Sequence, residues 1–130
     1  MKKIQVIGLP GAGKTTRIKQ FLKETNLLDI QHLDIGQLTT TWLTKEQALK
    51  KFLTKKHNLI AESACGIRRK DTIVIKVDTP PFIIYERCLI RDGFVDEDYL
   101  SLLSWQMIPA SYILQTDSDL PDLLHKLFGG

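Results

Sequence analysis

Five short runs of apolar, β-branched-rich residues recur along the chain and alternate with stretches of helical spacing. The runs predict strands at Lys3 to Ile7, Gln31 to Ile35, Leu59 to Glu62, Thr72 to Val77 and Ser111 to Gln115. Between them, apolar side chains return three and four residues apart, the period of a helix that buries one face. The first helix is expected from about Gly13 to Asn26, with Ile18, Phe21 and Leu22 inward. Thr44 to Lys56 has the same spacing, with Leu43, Gln47, Leu49 and Phe52 interrupted by lysines. Pro80 opens a further helix, since its fixed φ suits a first turn. That helix carries Tyr85, Leu89 and Ile90 on one side and ends near Gly93. Another runs from about Glu97 to Met107 and stops before Pro109. The last begins after Ser118, read as its N-cap, and ends near Phe128.

Strands alternating with helices predict an α/β domain built on a parallel sheet. With 130 residues and neither repeat, linker nor low-complexity segment, the chain reads as a single domain spanning residues 1–130. Composition excludes several classes. At 43% hydrophobic and 25% charged the chain is an ordinary globular sequence, not a disordered one. Ile73–Ile75 and Phe82–Tyr85, among the longest apolar stretches, fall far short of the roughly 18 residues of a spanning helix. Met1-Lys2-Lys3 and the apolar residues behind it are broken by Gly8 to Lys14, which is no signal-peptide pattern. Cys65 and Cys88 have neither disulfide-framework nor zinc-ligand spacing, and His32, His57 and His125 are scattered. Reduced thiols and a cytoplasmic location are expected. The net charge of +3 favours an anionic ligand without implying nucleic acid.

One stretch carries specific chemistry. Gly8-Leu9-Pro10-Gly11-Ala12-Gly13-Lys14-Thr15 satisfies G-x-x-x-x-G-K-[ST], the Walker A pattern, directly after a predicted strand and before a predicted helix. Glycines let the backbone take positive φ and approach a ligand closely. Successive amides then point inward as an anion nest at a helix start, whose dipole adds positive charge. Lys14 should reach the β- and γ-phosphates of a nucleoside triphosphate, and the Thr15 hydroxyl should hold Mg²⁺. No N-K-x-D guanine signature is present, so ATP with Mg²⁺ is the expected cofactor pair.

The segment Ile4 to Thr16, with Arg87-Cys88-Leu89-Ile90-Arg91 further on, resembles the nucleoside and nucleotide kinases of the P-loop NTPase class, adenylate-kinase-like and shikimate-kinase-like enzymes among them. The resemblance implies a three-layer fold with a five-stranded parallel sheet in the order 2-3-1-4-5, and transfer of the γ-phosphoryl group of ATP to a small acceptor. It implies Gly8, Pro10, Gly11, Ala12, Gly13, Lys14, Thr15 and Thr16 as nucleotide-binding residues. Arg87 and Arg91 match the pair at the start of the family's lid, the first on the adenine side and the second at the phosphates. Residues four apart share a helix face, and a guanidinium fork suits phosphoryl oxygens. A pair of solvated arginines near a helix C-terminus is the alternative.

Asp34 ends the second strand, at the edge of the sheet where α/β proteins bind ligands. In related kinases this position orients the acceptor hydroxyl; capping the next helical stretch is the other reading. Glu62 stands where the family carries its Mg²⁺-associated acid, with glutamate in place of the commoner aspartate. A buried acid there needs a partner. The resemblance to adenylate kinases implies an arginine soon after this strand as the ligand of the acceptor phosphate, and Arg68 is the candidate, since Arg69 and Lys70 read as a solvated turn. The chain departs from the family in two ways. Only about twenty residues separate the second and third strands, so the acceptor insertion is minimal. After Arg91 the short lid carries Asp92, Asp96, Glu97 and Asp98 but no further arginine.

Lys50, Lys51, Lys55 and Lys56 with His57 read as the wet face of an amphipathic helix. Trp42 and Trp105 read as core or rim residues. The expected function is therefore an ATP-dependent kinase of a small molecule, a monomer or homodimer with neither nucleic acid nor membrane as partner. A nucleotide-binding module without transfer is the alternative from another class, and a polynucleotide 5′-kinase a third.

Overall fold

The computed structural model describes residues 2–27, 29–35, 47, 49, 50, 53 and 57–129. Its elements in chain order are β1 (Lys3–Ile7), α1 (Lys14–Glu24), β2 (Ile30–Asp34), β3 (Asn58–Ser63) and β4 (Ile73–Val77), then α2 (Pro81–Asp92), α3 (Glu97–Gln106), β5 (Tyr112–Leu114) and α4 (Leu120–Phe128). A 3₁₀ turn, Asp117–Asp119, leads into α4. The strands form one parallel sheet in the order β2-β3-β1-β4-β5, as expected. Of the helical stretch expected over Thr44 to Lys56, only Gln47, Leu49, Lys50 and Leu53 are described, all helical; Trp42, Lys51, Lys55 and Lys56 lie outside the described residues. No helix among the described residues is long and apolar enough to cross a membrane.

The side chains of a strand alternate between faces, and the central strands β3, β1 and β4 bury both, whereas Tyr112 and Ile113 of edge strand β5 are exposed. Ile4, Val6, Ile60, Ile75 and Val77 pack on one side with Ile18 and Phe21 of α1 and Leu120 and Leu124 of α4. Leu59 and Ala61 point the other way and join Leu33, Ile35, Leu49 and Ile67 in a second cluster. Gln5 is the polar exception in the central strand. Its side chain donates to Ile67 O (2.7 Å) and Thr72 Oγ1 (2.9 Å) and accepts from Ile67 N (2.9 Å), so the buried amide is satisfied. Those bonds tie the β3–β4 connection to β1.

Three local expectations are corrected. On α2 the buried residues are Ile84 and Cys88, with Tyr85 partly buried against the same cluster, whereas Leu89 is exposed and Ile90 is 79% exposed. The helix turns this face inward because the small Cys88 thiol fits under the loop before α1: a Cβ at Gly11 would lie 3.3 Å from its Sγ. Trp105 is 89% exposed, neither core nor rim, because α3 buries only Leu100 and Leu103. Ser118 is not the cap of the last helix. Thr116 accepts from Ser118 N and starts the 3₁₀ turn instead, and α4 begins with Pro121 in its first turn.

Candidate functional site

The loop from Gly8 to Gly13 leaves the carboxyl end of central β1 and turns directly into α1. Gly11 and Gly13 have φ of 87° and 95°, conformations that L side chains rarely adopt. Gly13 occupies the N-cap of α1, and having no side chain it leaves the first-turn amides free of a competing cap. Gly8 is needed for a different reason: a Cβ there would stand 2.8 Å from Val77 O. Gly13→Ala would combine positive φ with a Cβ 2.6 Å from Asp117 Oδ2. We expect it to lower stability by about 2 kcal/mol or more, read as a fall in melting temperature.

Three side chains brace this loop from below. Thr79, buried in the connection between β4 and α2, donates its hydroxyl to Ala12 O at 2.8 Å. Arg87 on α2 donates to Gly11 O at 3.1 Å. Asp117, only 6% exposed, packs against Gly13 and accepts from Arg17 (2.9 Å) and Arg87 (3.2 Å). Burial pushes the Asp117 carboxyl up, but the two guanidiniums outweigh it and hold the pKa below the usual carboxylate value. None of Asp117, Thr79 or Arg17 stood out in the sequence. Thr-Asp-Ser-Asp reads there only as turn chemistry, and the pairing partners are far away along the chain.

On the open side of the loop, Lys14 Nζ donates to Gly8 O (2.6 Å) and Leu9 O (3.1 Å). Burial lowers its pKa to about 8, against the opposing pull of Glu62 and Asp34. Thr15, half-buried, donates its hydroxyl to Glu62 Oε2 at 2.7 Å, and Thr16 is exposed. Glu62 is 2% exposed at the end of β3 and therefore faces the loop, on the Ile60 side of the strand. Its second oxygen meets His32 Nε2 at 2.8 Å. Burial raises the Glu62 pKa, yet the bonds from His32 and Thr15 and the charges of His32 and Lys14 bring it below the ordinary value. Asp34 lies beside Glu62 in the β2–β3 register, and its charge reaches Lys14.

The expected residues thus divide into two groups. Lys14, Thr15, Glu62 and Asp34 converge at the carboxyl ends of β1, β2 and β3. Arg87 and Arg91 share α2, but Arg87 is occupied with Asp117 and Gly11 O, while exposed Arg91 pairs with neighbouring Asp92 (2.9 Å) and its charge reaches Lys14. Arg69 is tied to Asp71, leaving Arg68 exposed at the rim of a cavity of about 610 Å³. That cavity begins at Ile35 and Ser63, next to Asp34 and Glu62, and runs between the β3–β4 connection and α3, with Ile67, Leu103 and Ile108 on its walls. Ala64 O accepts from Gly8 N, so the cavity abuts the loop. No group of three or more His, Cys, Asp or Glu side chains among the described residues suits a metal ion by itself.

No protein-family profile and no curated protein matches the sequence. Solved structures do match the fold. A sugar kinase from Janibacter sp. superposes with a TM-score of 0.73 at 15% identity, covering 99% of this chain and 95% of that one. Shikimate kinase from Bacteroides thetaiotaomicron follows at 0.69 and 17%, covering 99% of both chains. A gluconokinase from Sinorhizobium meliloti gives 0.66 and 12%, covering 98% and 96%. At such identities the likeness is one of fold: the chain has the five-stranded architecture of the small P-loop kinases.

Proposed function

We propose that this chain is an ATP-dependent kinase of a small molecule, transferring the γ-phosphoryl group to a hydroxyl or phosphate acceptor held in the cavity behind Ser63. The observation that carries the reading is convergence: the glycine loop, the Thr15–Glu62 pair, Asp34 and the cavity all meet at one end of the sheet. The sugar kinase, shikimate kinase and gluconokinase that share its fold support it.

The residues fit a magnesium-bound triphosphate. The cradle is closed to side chains at Gly8 and Gly13, and a buried ammonium stands over it. A hydroxyl that gives its hydrogen to Glu62 keeps its lone pairs for a hard cation, and oxygen donors are what Mg²⁺ takes. When bound, the metal neutralises phosphate charge and orients the transferring group. The loop amides and Lys14 would grip the phosphates, Thr15 and Glu62 would hold the cation and its water, and Asp34 would orient the acceptor. Arg68 would meet an anionic group at the cavity rim. Arg91 would have to leave Asp92 to reach the phosphates, an exchange between exposed, solvent-screened partners.

Incubation with γ-labelled ATP and Mg²⁺ against nucleosides, nucleotides, small alcohols and oligonucleotides tests the reading directly, and a labelled acceptor is the expected result. Asp34→Asn should leave nucleotide affinity within about twofold and slow transfer by about 10²-fold, the usual contribution of a positioned base. Equal turnover by the two proteins removes Asp34 from the chemistry. One observation favours a second reading, a nucleotide-binding module without transfer: Arg87 and Arg91 are both engaged by acidic partners. Tight Mg-ATP binding with no labelled product from any acceptor would establish it.

A further inference from the structure

His32 and Asp34 flank buried Leu33 on β2, so both side chains project from the sheet face opposite Leu33. Asp34 sits in register with Glu62. His32 is partly buried and reaches along the sheet to the same carboxylate. Glu62 is thus gripped from two elements, Oε2 by the Thr15 hydroxyl of α1 and Oε1 by His32 Nε2 of β2. Two donors on separate oxygens fix both the direction and the plane of a carboxylate, which one donor cannot do.

Removing the second donor would leave a buried anionic oxygen unsatisfied, which is costly. Lys14 is the available substitute: its charge already acts on Glu62, and among the described residues its Nζ is bonded to two loop carbonyls. A carboxylate released from His32 would turn to that ammonium. It would then abandon Thr15 and compete with phosphate for the cation the loop needs.

We propose that His32 is a positioning residue: by donating Nε2–H to Glu62 Oε1 it keeps the carboxylate on Thr15 and off Lys14. The imidazole thereby separates two jobs within one small site, cation binding by Thr15 and Glu62 and anion binding by Lys14. This rests on the kinase reading above. Nothing in the spacing of the three histidines points to the role, which depends on a neighbouring strand brought alongside by the fold.

Calorimetric titration of ADP into wild type, His32→Leu and His32→Gln, each with Mg²⁺ and with EDTA, tests it. His32→Leu should lose about tenfold in the affinity gained from Mg²⁺, the lower end of the loss usual when a metal ligand's supporting partner is removed. His32→Gln, which keeps an N–H at similar reach, should bind within about twofold of wild type. Equal Mg²⁺ dependence in His32→Leu and wild type, or a Gln variant as weak as the Leu variant, overturns the proposal alone. So does a loss of the same size in EDTA, which would mark general damage to the fold. A wild-type chain that binds no nucleotide under either condition overturns the kinase reading, and His32's role falls with it. Independently of any variant's folding, ¹⁵N-histidine spectra of the wild type should show a hydrogen-bonded Nε2–H at His32 that shifts in Glu62→Gln; its absence would overturn the proposal as well.

Discussion

Lys14→Ala is expected to reduce kcat/KM for phosphoryl transfer by about 10²–10³-fold, the loss found when one preorganised donor to developing charge is removed. The ammonium is the positive group placed over the loop, and water in its place cannot supply a fixed charge. The same residue predicts a pH profile. Burial lowers its pKa from the ordinary 10.5 to about 8, so the free protein loses this charge as pH rises through about 8. Bound phosphates favour the charged form, and binding above pH 8 must therefore take up a proton. Nucleotide affinity should fall between pH 8 and 10, with proton uptake visible as buffer-dependent heat. Stability should follow the opposite sign. A lysine whose pKa is lowered on folding costs stability while protonated in both states, and the cost fades as pH rises from about 8 toward 10.5. Lys14→Ala should therefore melt no lower than wild type at pH 7. Transfer within tenfold of wild type would remove Lys14 from the mechanism, and an affinity that stays flat to pH 9.5 would refute the titration.

Asp117→Ala is the substitution expected to damage the fold most. It leaves the guanidiniums of Arg17 and Arg87 without their shared anion and opens a hole beside Gly13. Breaking a fully buried pair costs about 3–5 kcal/mol, and an exposed one under about 1. Asp117 is buried but both arginines are about one-third exposed, which places the loss near 2–3 kcal/mol. The melting temperature should drop by about 8–12 °C. Because its pKa is lowered on folding, Asp117 contributes this stability above the unfolded value of 3.8 and loses it as pH falls through the folded value. The gap between wild type and Asp117→Asn should accordingly be full at pH 7 and close in acid below pH 3.8. A drop under about 2 °C for the alanine variant would show that Arg17 and Arg87 find other partners at little cost.

The parts of this site visible in the sequence are those carried by contiguous residues. Gly8 to Thr15 could be read because the loop, the strand before it and the helix after it are local. Sheet order followed from the resemblance the loop supports. Long-range pairings were hidden: His32 with Glu62, Asp117 with Arg17 and Arg87, and Thr79 with Ala12 join residues from different elements, and single-sequence periodicity carries no register between strands. The buried face of α2 was only partly legible, for a related reason. Tyr85, Leu89 and Ile90 form the more hydrophobic stripe, but the surface opposite is a backbone loop with room for Ile84 and a thiol. Packing partners, and not hydrophobicity alone, chose the buried side. Glu62 was singled out through the resemblance, but which way it faces was not legible; the fold gives it Thr15 and His32 as partners, which a lone buried acid would lack.

The central place of β1 has a consequence for how the protein is made. The strand that launches the phosphate loop pairs with β3 on one side and β4 on the other, Lys3 against Leu59 and Ile4 against Ile73. The loop's supports come later still, from Thr79, Arg87 and Asp117. These contacts from β3, β4, Thr79, Arg87 and Asp117 each close a long stretch of chain, and such contacts form slowly. During synthesis residues 8–15 would wait, already translated, until residues as far along as Asp117 emerge. Nucleotide binding should then appear late and all at once, only after Asp117 has left the ribosome, and it would report completion of the domain more sharply than helix content does.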